Sequence, residues 1–281
     1  HDLGHTPFGH AGEDALNKVM SPWGGFNHNC QTFRIVTELE HRYADFNGLN
    51  LTWETLEGLV KHNGPLTSPI PINMLAIQEY CDYHNLEVNS WPGPEAQVAS
   101  LADDIAYNNH DVDDGLRAGL FQIEDLSDIP LVGPVFNEVK DAHPKIDQGR
   151  LIHEAVRRMI SKVISDVIEE SSIRLYKSGC KSVEEIRSLD KPVIGFSEEM
   201  KAHDIALKGF LHKRMYQHYK VNRMASKARR VVTELFNLFI SEPQCLPQEW
   251  YSLCGKPNSE KTAKVVSDYI AGMTDRYAFL E

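Results

Sequence analysis

The sequence lacks several features that would assign a protein to a class at once. No apolar run approaches the roughly 18 residues that a membrane-spanning helix needs, and no secretory signal peptide is recognisable. The five cysteines are scattered over 281 residues without a Cys-x-x-Cys spacing, which argues against a zinc knuckle and a disulfide framework. These absences predict a cytoplasmic protein in a reducing compartment, with no membrane association.

An overall excess of positive charge is also lacking. The 29 basic and 40 acidic residues give a formal net charge of −11, which argues against non-specific nucleic-acid binding by the whole surface. Positive charge is nevertheless concentrated in residues 201–230, where nine Lys and Arg accompany the single acid Asp204. This segment is either a site for a polyanion or an ordinary solvated helical face. Binding of single-stranded nucleic acid is an option that nothing else indicates.

Alternating patterns typical of strands are scarce, and only residues 190–198 could form a short pair. Apolar residues instead recur at three- and four-residue steps, for example from Leu151 to Val167 and from Val231 to Ile240. Thr52 is a plausible N-cap, and loops are expected at Gly64–Pro71 and Trp91–Pro94. The chain is therefore predicted to be all-α, with further helices over residues 28–44, 51–61, 95–120, 203–219 and 259–279.

Histidines and carboxylates are concentrated in the first thirteen residues, HDLGHTPFGHAGE. Imidazole nitrogens and carboxylate oxygens suit a divalent metal, either a transition metal or Mg²⁺ or Mn²⁺, and the adjacent His1 and Asp2 can each supply one ligand. A polar helix start with solvated histidines is the alternative. The density of the cluster between glycines favours the metal site.

His10 and Glu13 are spaced three residues apart. If a helix begins near His10, both side chains lie on one face, where Glu13 can orient the imidazole and raise its pKa. This arrangement suits a general acid.

A second group of candidates is expected on the helix that follows Glu95. Asp103, Tyr107 and Asp111 lie at i, i+4 and i+8, so they are stacked along one face, whereas Asp104 is about 100° further round. Such a row can address a metal, a sugar ring and a sugar hydroxyl. An exposed acidic helix with Tyr107 packed inward is the alternative.

The opening motif resembles that of the HD-domain phosphohydrolases, specifically the deoxyguanosine-triphosphate triphosphohydrolase-like branch. Further stretches resemble the same branch in the same order, so the resemblance spans nearly the whole chain. These stretches are GFNHN at 25–29, WETLEGLVKHNG at 53–64, ADDIAY at 102–107 and DYIAGMTDRY at 268–277.

The resemblance implies an HD-domain helical bundle with additional C-terminal helices. We expect an HD-domain core over residues 1–125, the upstream part of which would precede residue 1, and a C-terminal helical region over 126–281 packed on the same core. The family motif has one more metal-ligating histidine upstream of the His-Asp doublet. A homo-oligomer is also an expectation by resemblance.

The resemblance further implies metal-dependent hydrolysis of deoxynucleoside triphosphates to deoxynucleoside and tripolyphosphate. Another HD phosphohydrolase, acting on nucleoside monophosphates or guanosine tetraphosphate, and a non-catalytic nucleotide-binding regulator are the alternatives. The charge pattern adds three weaker candidates for phosphate binding. The site residues implied by the resemblance are His1, Asp2 and Asp103 for the metal, His10, Glu13 and His28 for catalysis, and His5, Tyr107 and Asp111 for substrate. The candidates from the charge pattern are Lys208, Lys213 and Arg214.

Two of the histidines also have ordinary structural interpretations. His28, in Gly25-Phe26-Asn27-His28, is by default a loop or N-cap residue. His62 follows the predicted helix 51–61, so it is either a site residue or a helix C-terminal cap, and the cap is the safer interpretation.

Overall fold

The computed structural model describes residues 1–66 and 69–281, and within these residues the regular secondary structure is helical, with no strands. The all-α prediction is therefore confirmed. Thr67 and Ser68, within the predicted loop Gly64–Pro71, lie outside the described residues. The helices are α1 His10–Met20, α2 His28–Arg34, α3 Trp53–Lys61, α4 Leu75–Cys81, α5 Pro94–Arg117, α6 Val132–Ala142, α7 Gln148–Ser178, α8 Val183–Arg187, α9 Glu198–Leu211, α10 Tyr219–Ser241, α11 Gln248–Tyr251, α12 Glu260–Ala271 and α13 Asp275–Leu280.

Three of the predicted helices are interrupted or shorter in the structure. The helix expected over 28–44 ends as α2 and one wider π-helical turn, Ile35–Leu39. The segment expected over 203–219 consists of the greater part of α9 and a π-helical turn, His212–Tyr216, before α10 begins at Tyr219. The one over 259–279 is divided into α12 and α13. The last break has a local cause, since the Thr274 side chain accepts a hydrogen bond from the Tyr277 amide and starts a new helix there.

The short strand pair considered near 190–198 does not form. The Val193 and Ile194 amides both donate to the side chain of Gln97, and Ser197 caps α9. Because these backbone groups already have partners, the segment has no need of a strand ladder. The predicted cap at Thr52 is confirmed, since its side chain accepts from the Thr55 amide.

The chain divides into two compact units, and the division does not follow the boundary predicted at residue 125. Unit 1 contains residues 1–90 and 223–281, and unit 2 contains residues 91–222. Residues 91–125 belong to unit 2 because the unbroken helix α5 packs against α7. As a boundary of the HD-domain core, residue 125 stays a prediction.

Unit 1 has two apolar clusters. One is built from α1, α10 and α12, where Leu16, Val232, Phe236 and Ile270 are almost completely buried. The other gathers α2, α3 and α4. Burial of each such side chain stabilises the fold by about 1.5–3 kcal/mol relative to exposure. Both clusters support the helices that carry the N-terminal motif.

Unit 2 has its core between α5, α6, α7 and α9. The apolar stripe predicted from Leu151 onward supplies part of it through α7, with Met159 fully buried. In the second half of this long helix apolar side chains become exposed, with Ile164 at 44% and Ile168 at 63%. No described helix combines the length and apolarity that crossing a membrane requires.

Candidate active site

The turn that carries His1 and Asp2 is fastened to α2. Thr32 accepts a hydrogen bond from the Gly4 amide at 2.8 Å and donates to the His1 carbonyl at 2.5 Å. A Cβ on Gly4 would lie 2.2 Å from the His28 carbonyl oxygen. The turn can therefore reach α2 this closely only with glycine at that position.

The next segment leads into α1 through a sharp bend. Phe8 and Gly9 both have positive φ, at 67° and 55°, and the bend is held by a hydrogen bond from the Phe8 amide to Asp275 at 2.9 Å. α1 then begins at His10, which meets the condition under which His10 and Glu13 share one face. The motif is thus anchored by a residue near the other end of the sequence.

Glu13 joins two histidines. Its Oε1 accepts from both the backbone amide and the ring Nδ1 of His28, at 2.9 and 2.8 Å, and its Oε2 accepts from Nδ1 of His10 at 3.1 Å. The side chains of Glu13 and His28 are each 14% exposed, whereas that of His10 is 71% exposed. The arrangement holds His10 at an accessible surface while its carboxylate partner is sheltered.

These contacts determine which ring nitrogens are available for chemistry. With Nδ1–H of His10 and of His28 both donated to Glu13, the Nε2 atoms remain free to exchange protons or contact substrate. Burial alone would raise the pKa of Glu13, but the hydrogen bonds from the His28 side chain and backbone and from His10 outweigh it and lower that pKa to about 2. Glu13 is therefore a fixed negative charge at neutral pH.

His5 completes the cluster. Its ring is stacked on His28, with centroids 4.0 Å apart and planes 10° from parallel, and it makes an edge contact with His10 at 5.0 Å. Burial and repulsion from His28 lower the pKa of His5, which favours a neutral ring. Its Nδ1 is buried and has no hydrogen-bond partner among the described residues.

The four residues of this cluster have ligand atoms within 4.8 Å of one another, yet their geometry does not suit one metal ion. A bound ion lies near the plane of each imidazole that ligates it, because the nitrogen lone pair lies in the ring plane. The rings of His5 and His28 are parallel and stacked, so one ion cannot lie in both planes. The cluster is arranged as a hydrogen-bonded group around Glu13.

The His1-Asp2 doublet offers a better donor set for a metal. Nε2 of His1 and Nε2 of His5 each lie 3.3 Å from Oδ1 of Asp2, and the Asp2 side chain is 60% exposed. Imidazole nitrogen and accessible carboxylate oxygen are ligands that divalent transition metals accept. The residues of the doublet therefore fit the predicted metal.

The remaining predicted site residues belong to unit 2, on and near α5. Asp103 is exposed and Tyr107 is 54% exposed, so the inward-packed Tyr107 of the alternative interpretation is wrong. Asp111 is 8% exposed and accepts a hydrogen bond from the hydroxyl of Tyr216. Burial raises the pKa of Asp111 and that of Tyr216. Tyr216 is 105 residues from Asp111 in the sequence, and no sequence pattern predicted their contact.

Two of the basic candidates already have acidic partners within unit 2. Lys208 lies 3.1 Å from Asp204 and 3.5 Å from Asp104, and Arg214 lies 2.7 Å from Asp125. Lys213 is exposed. The local excess of positive charge is therefore smaller than the sequence pattern indicated, and phosphate binding by these residues stays a prediction.

A partly buried ion pair that sequence reasoning missed connects α2 to α12. Arg34 donates to both oxygens of Asp268, at 2.6 and 2.9 Å, and Gln31 donates to Asp268 at 2.9 Å. These contacts adjoin a cavity of about 550 Å³ in unit 1, lined also by Trp23, Phe26 and Lys264 among others. Asp268 is the first residue of the tail motif, and its hydrogen bonds from Arg34 and Gln31 explain why an acidic residue occupies this position.

Comparison with known proteins finds chains that are similar in sequence. A phosphohydrolase-associated domain matches residues 194–281. A deoxyguanosinetriphosphate triphosphohydrolase-like protein of Parvibaculum lavamentivorans is 57% identical over all of this chain and 72% of its own length. Proteins of the same description from Caulobacter vibrioides and Bartonella henselae are 55% and 45% identical over all of this chain and 72% and 71% of their own lengths.

The chain belongs to the deoxyguanosinetriphosphate triphosphohydrolase-like family. The resemblance inferred from the opening motif is thereby confirmed, and the chain is a member of a phosphohydrolase family. In this family member the opening motif and the tail motif meet within unit 1, through the contact of Phe8 with Asp275. Hydrolases of the HD class generally depend on a metal, which agrees with the donor set of the doublet.

Proposed function

We propose that the protein hydrolyses deoxynucleoside triphosphates to deoxynucleoside and tripolyphosphate. The observation that carries this proposal is the contact of Glu13 with both His10 and His28, beside the His1-Asp2 doublet. A phosphohydrolase needs a proton donor, a group that orients it and nearby ligands for a cation. Unit 1 offers a candidate for each, namely His10, Glu13 and the His1-Asp2 doublet, and the family membership supports a nucleoside triphosphate as substrate.

In the proposed reaction, water attacks the α-phosphorus and the bond from that phosphorus to the 5′-oxygen breaks. His10, oriented through Nδ1 by Glu13, donates the proton on Nε2 to the leaving 5′-oxygen, and the proton of the attacking water later restores it. His28 and His5 contact the triphosphate oxygens. Preorganised polar groups of this kind reduce the barrier by stabilising charge as it develops.

The metal is proposed to be Mg²⁺, Mn²⁺ or another transition metal, with His1 and Asp2 as ligands and Asp103 as a third by resemblance. When bound, it supplies Lewis-acid polarisation of a phosphate oxygen or a more acidic water. Tyr107 is proposed to pack on the deoxyribose, and Asp111, held by Tyr216, to bind the 3′-hydroxyl.

Product analysis tests the proposal. The purified protein is incubated with each of the four dNTPs and Mn²⁺ or Mg²⁺, and products are separated by anion-exchange chromatography. We expect deoxynucleoside and tripolyphosphate, with turnover lost in Asp103→Ala and in His10→Ala and kept in Asp114→Ala, an exposed acid on the same helix as Asp103. Release of a monophosphate and pyrophosphate, or no turnover of any dNTP alone or in mixtures, would overturn it.

A further inference from the structure

The end of α3 presents an imidazole to the N-terminal doublet. The rings of His62 and His1 are stacked, with centroids 4.6 Å apart and planes 24° from parallel. His62 is also the C-cap residue of α3, so the predicted capping role is confirmed. Capping alone, however, does not require a ring in contact with His1.

Both edges of the His62 ring are held by hydrogen bonds. Nδ1 donates to the Leu59 carbonyl at 2.9 Å, and Nε2 accepts from the Asn63 side chain at 2.8 Å. A ring restrained at two opposite positions cannot rotate without breaking one of these bonds. His62 therefore offers His1 a surface of defined orientation.

The backbone next to His62 is also fixed in position, through the contacts of Lys61. The preceding residue, Lys61, is completely buried and forms an ion pair of 2.8 Å with Glu57. Its ammonium group also donates to the Glu87 carbonyl at 3.1 Å and to Ser90 at 3.0 Å. These contacts tie the last turn of α3 to the segment 87–90, so the position of His62 is determined by packing as well as by its own hydrogen bonds.

We propose that His62 is a positioning residue for the metal, acting by fixing the plane of the His1 imidazole. This inference rests on the proposed function, in which His1 is a metal ligand. A ligand ring that is already oriented loses less conformational freedom when the metal binds, so the stack favours binding. Hydrogen-bond partners that orient a ligating histidine are typically worth 10- to 100-fold in metal affinity, and we expect an effect of the same order from the stack.

Titration of Mn²⁺ into the purified protein, followed by calorimetry and by electron paramagnetic resonance, tests the proposal independently of turnover. His62→Ala is expected to weaken Mn²⁺ binding about 10- to 100-fold. His62→Phe, which keeps a ring that can stack, is expected to stay within about threefold of the unchanged protein. His62→Gln, which keeps a side-chain donor for the cap but has no ring, is expected to resemble His62→Ala. His84→Ala serves as a control because its ring contacts Tyr80, in α4.

The outcomes separate this inference from the proposed function. Unchanged Mn²⁺ affinity in His62→Ala, or recovery in His62→Gln but not in His62→Phe, overturns the positioning role. Unchanged affinity in His1→Ala overturns the metal site itself. Circular dichroism without metal shows whether His62→Ala folds. If it does not, the Mn²⁺ affinities of His62→Phe and His62→Gln still decide whether the ring of His62 positions His1.

Discussion

At the residue scale, the two oxygens of Glu13 organise the candidate active site. Oε1 accepts hydrogen bonds from the backbone amide and Nδ1 of His28, and Oε2 accepts one from Nδ1 of His10. A single carboxylate thereby sets the orientation and the tautomer of two rings. Its own charge is secured by the same bonds, since they hold its pKa at about 2, well below the ordinary 4.5.

Replacement of Glu13 by Gln should reduce turnover of dNTPs about 100-fold or more, because the proton donor loses the group that orients it. Asp14→Asn, an exposed change at the next position of α1, should leave turnover within twofold. Initial rates at saturating and at low substrate separate the effect on kcat from that on KM. Equal rates in both variants would show that Glu13 has no part in the reaction.

The same change gives a prediction for stability against pH. The pKa of Glu13 is lower in the folded protein than in the unfolded chain, so its contribution is fully present above pH 4.5 and disappears as the pH falls toward 2. Glu13→Gln should therefore lower the free energy of unfolding by about 1.5–3 kcal/mol at pH 7. Urea unfolding from pH 7 to pH 3 should show the two proteins converging below pH 4.5; a constant difference would contradict the assignment.

At the scale of single elements, α3 depends on a buried charge pair. Glu57 and Lys61 are 1% and 0% exposed and lie at i and i+4. Burial of two charges is costly unless they are paired, so the pair gives little net stability but is costly to break. Its position directly before His62 makes α3 a rigid support for the site.

Lys61→Met should lower the free energy of unfolding by about 3–5 kcal/mol, because it leaves the Glu57 carboxylate buried without its cation. Lys264→Met is the matched control, since it breaks an i, i+4 Lys–Glu pair whose members are 57% and 66% exposed, and it should cost less than about 1 kcal/mol. Thermal or urea unfolding measures both. Glu57→Leu combined with Lys61→Met should recover part of the loss; a further loss would contradict this account.

At the scale of the whole molecule, residues far apart in sequence form unit 1. Its two segments, 1–90 and 223–281, are joined by the ion pair of Arg34 with Asp268 and by the hydrogen bond of Phe8 with Asp275. The tail motif therefore acts on the site by holding α2 and the bend before α1. The predicted homo-oligomer stays a prediction, since it concerns contacts beyond one chain.

Asp268→Asn should lower the free energy of unfolding by about 2–3 kcal/mol, because it removes the charged acceptor of both Arg34 and Gln31. Glu260→Gln, which changes an exposed acid on the same helix, should cost less than about 1 kcal/mol. Urea unfolding compares the two. If the variants were equally stable, the link between α2 and α12 would not contribute as described.

Local sequence was sufficient for the helical class and for one part of the site. The spacing of His10 and Glu13 predicted their contact because three residues along a helix bring side chains onto one face. The cap at Thr52 was predictable for the same reason, since the hydroxyl and the amide it accepts from are three residues apart. These features depend only on backbone geometry within one or two turns.

The tertiary structure decided the rest. Tyr216 reaches Asp111 across 105 residues, and Arg34 reaches Asp268 across 234. Such partners are chosen by how helices pack, since pairing of distant residues follows from the burial of apolar faces and not from local propensity. By itself, the sequence determined the all-α class, the family and the chemical types in the motif. Packing determined which of those groups meet, and so placed His28 on Glu13 and the ring of His62 on His1.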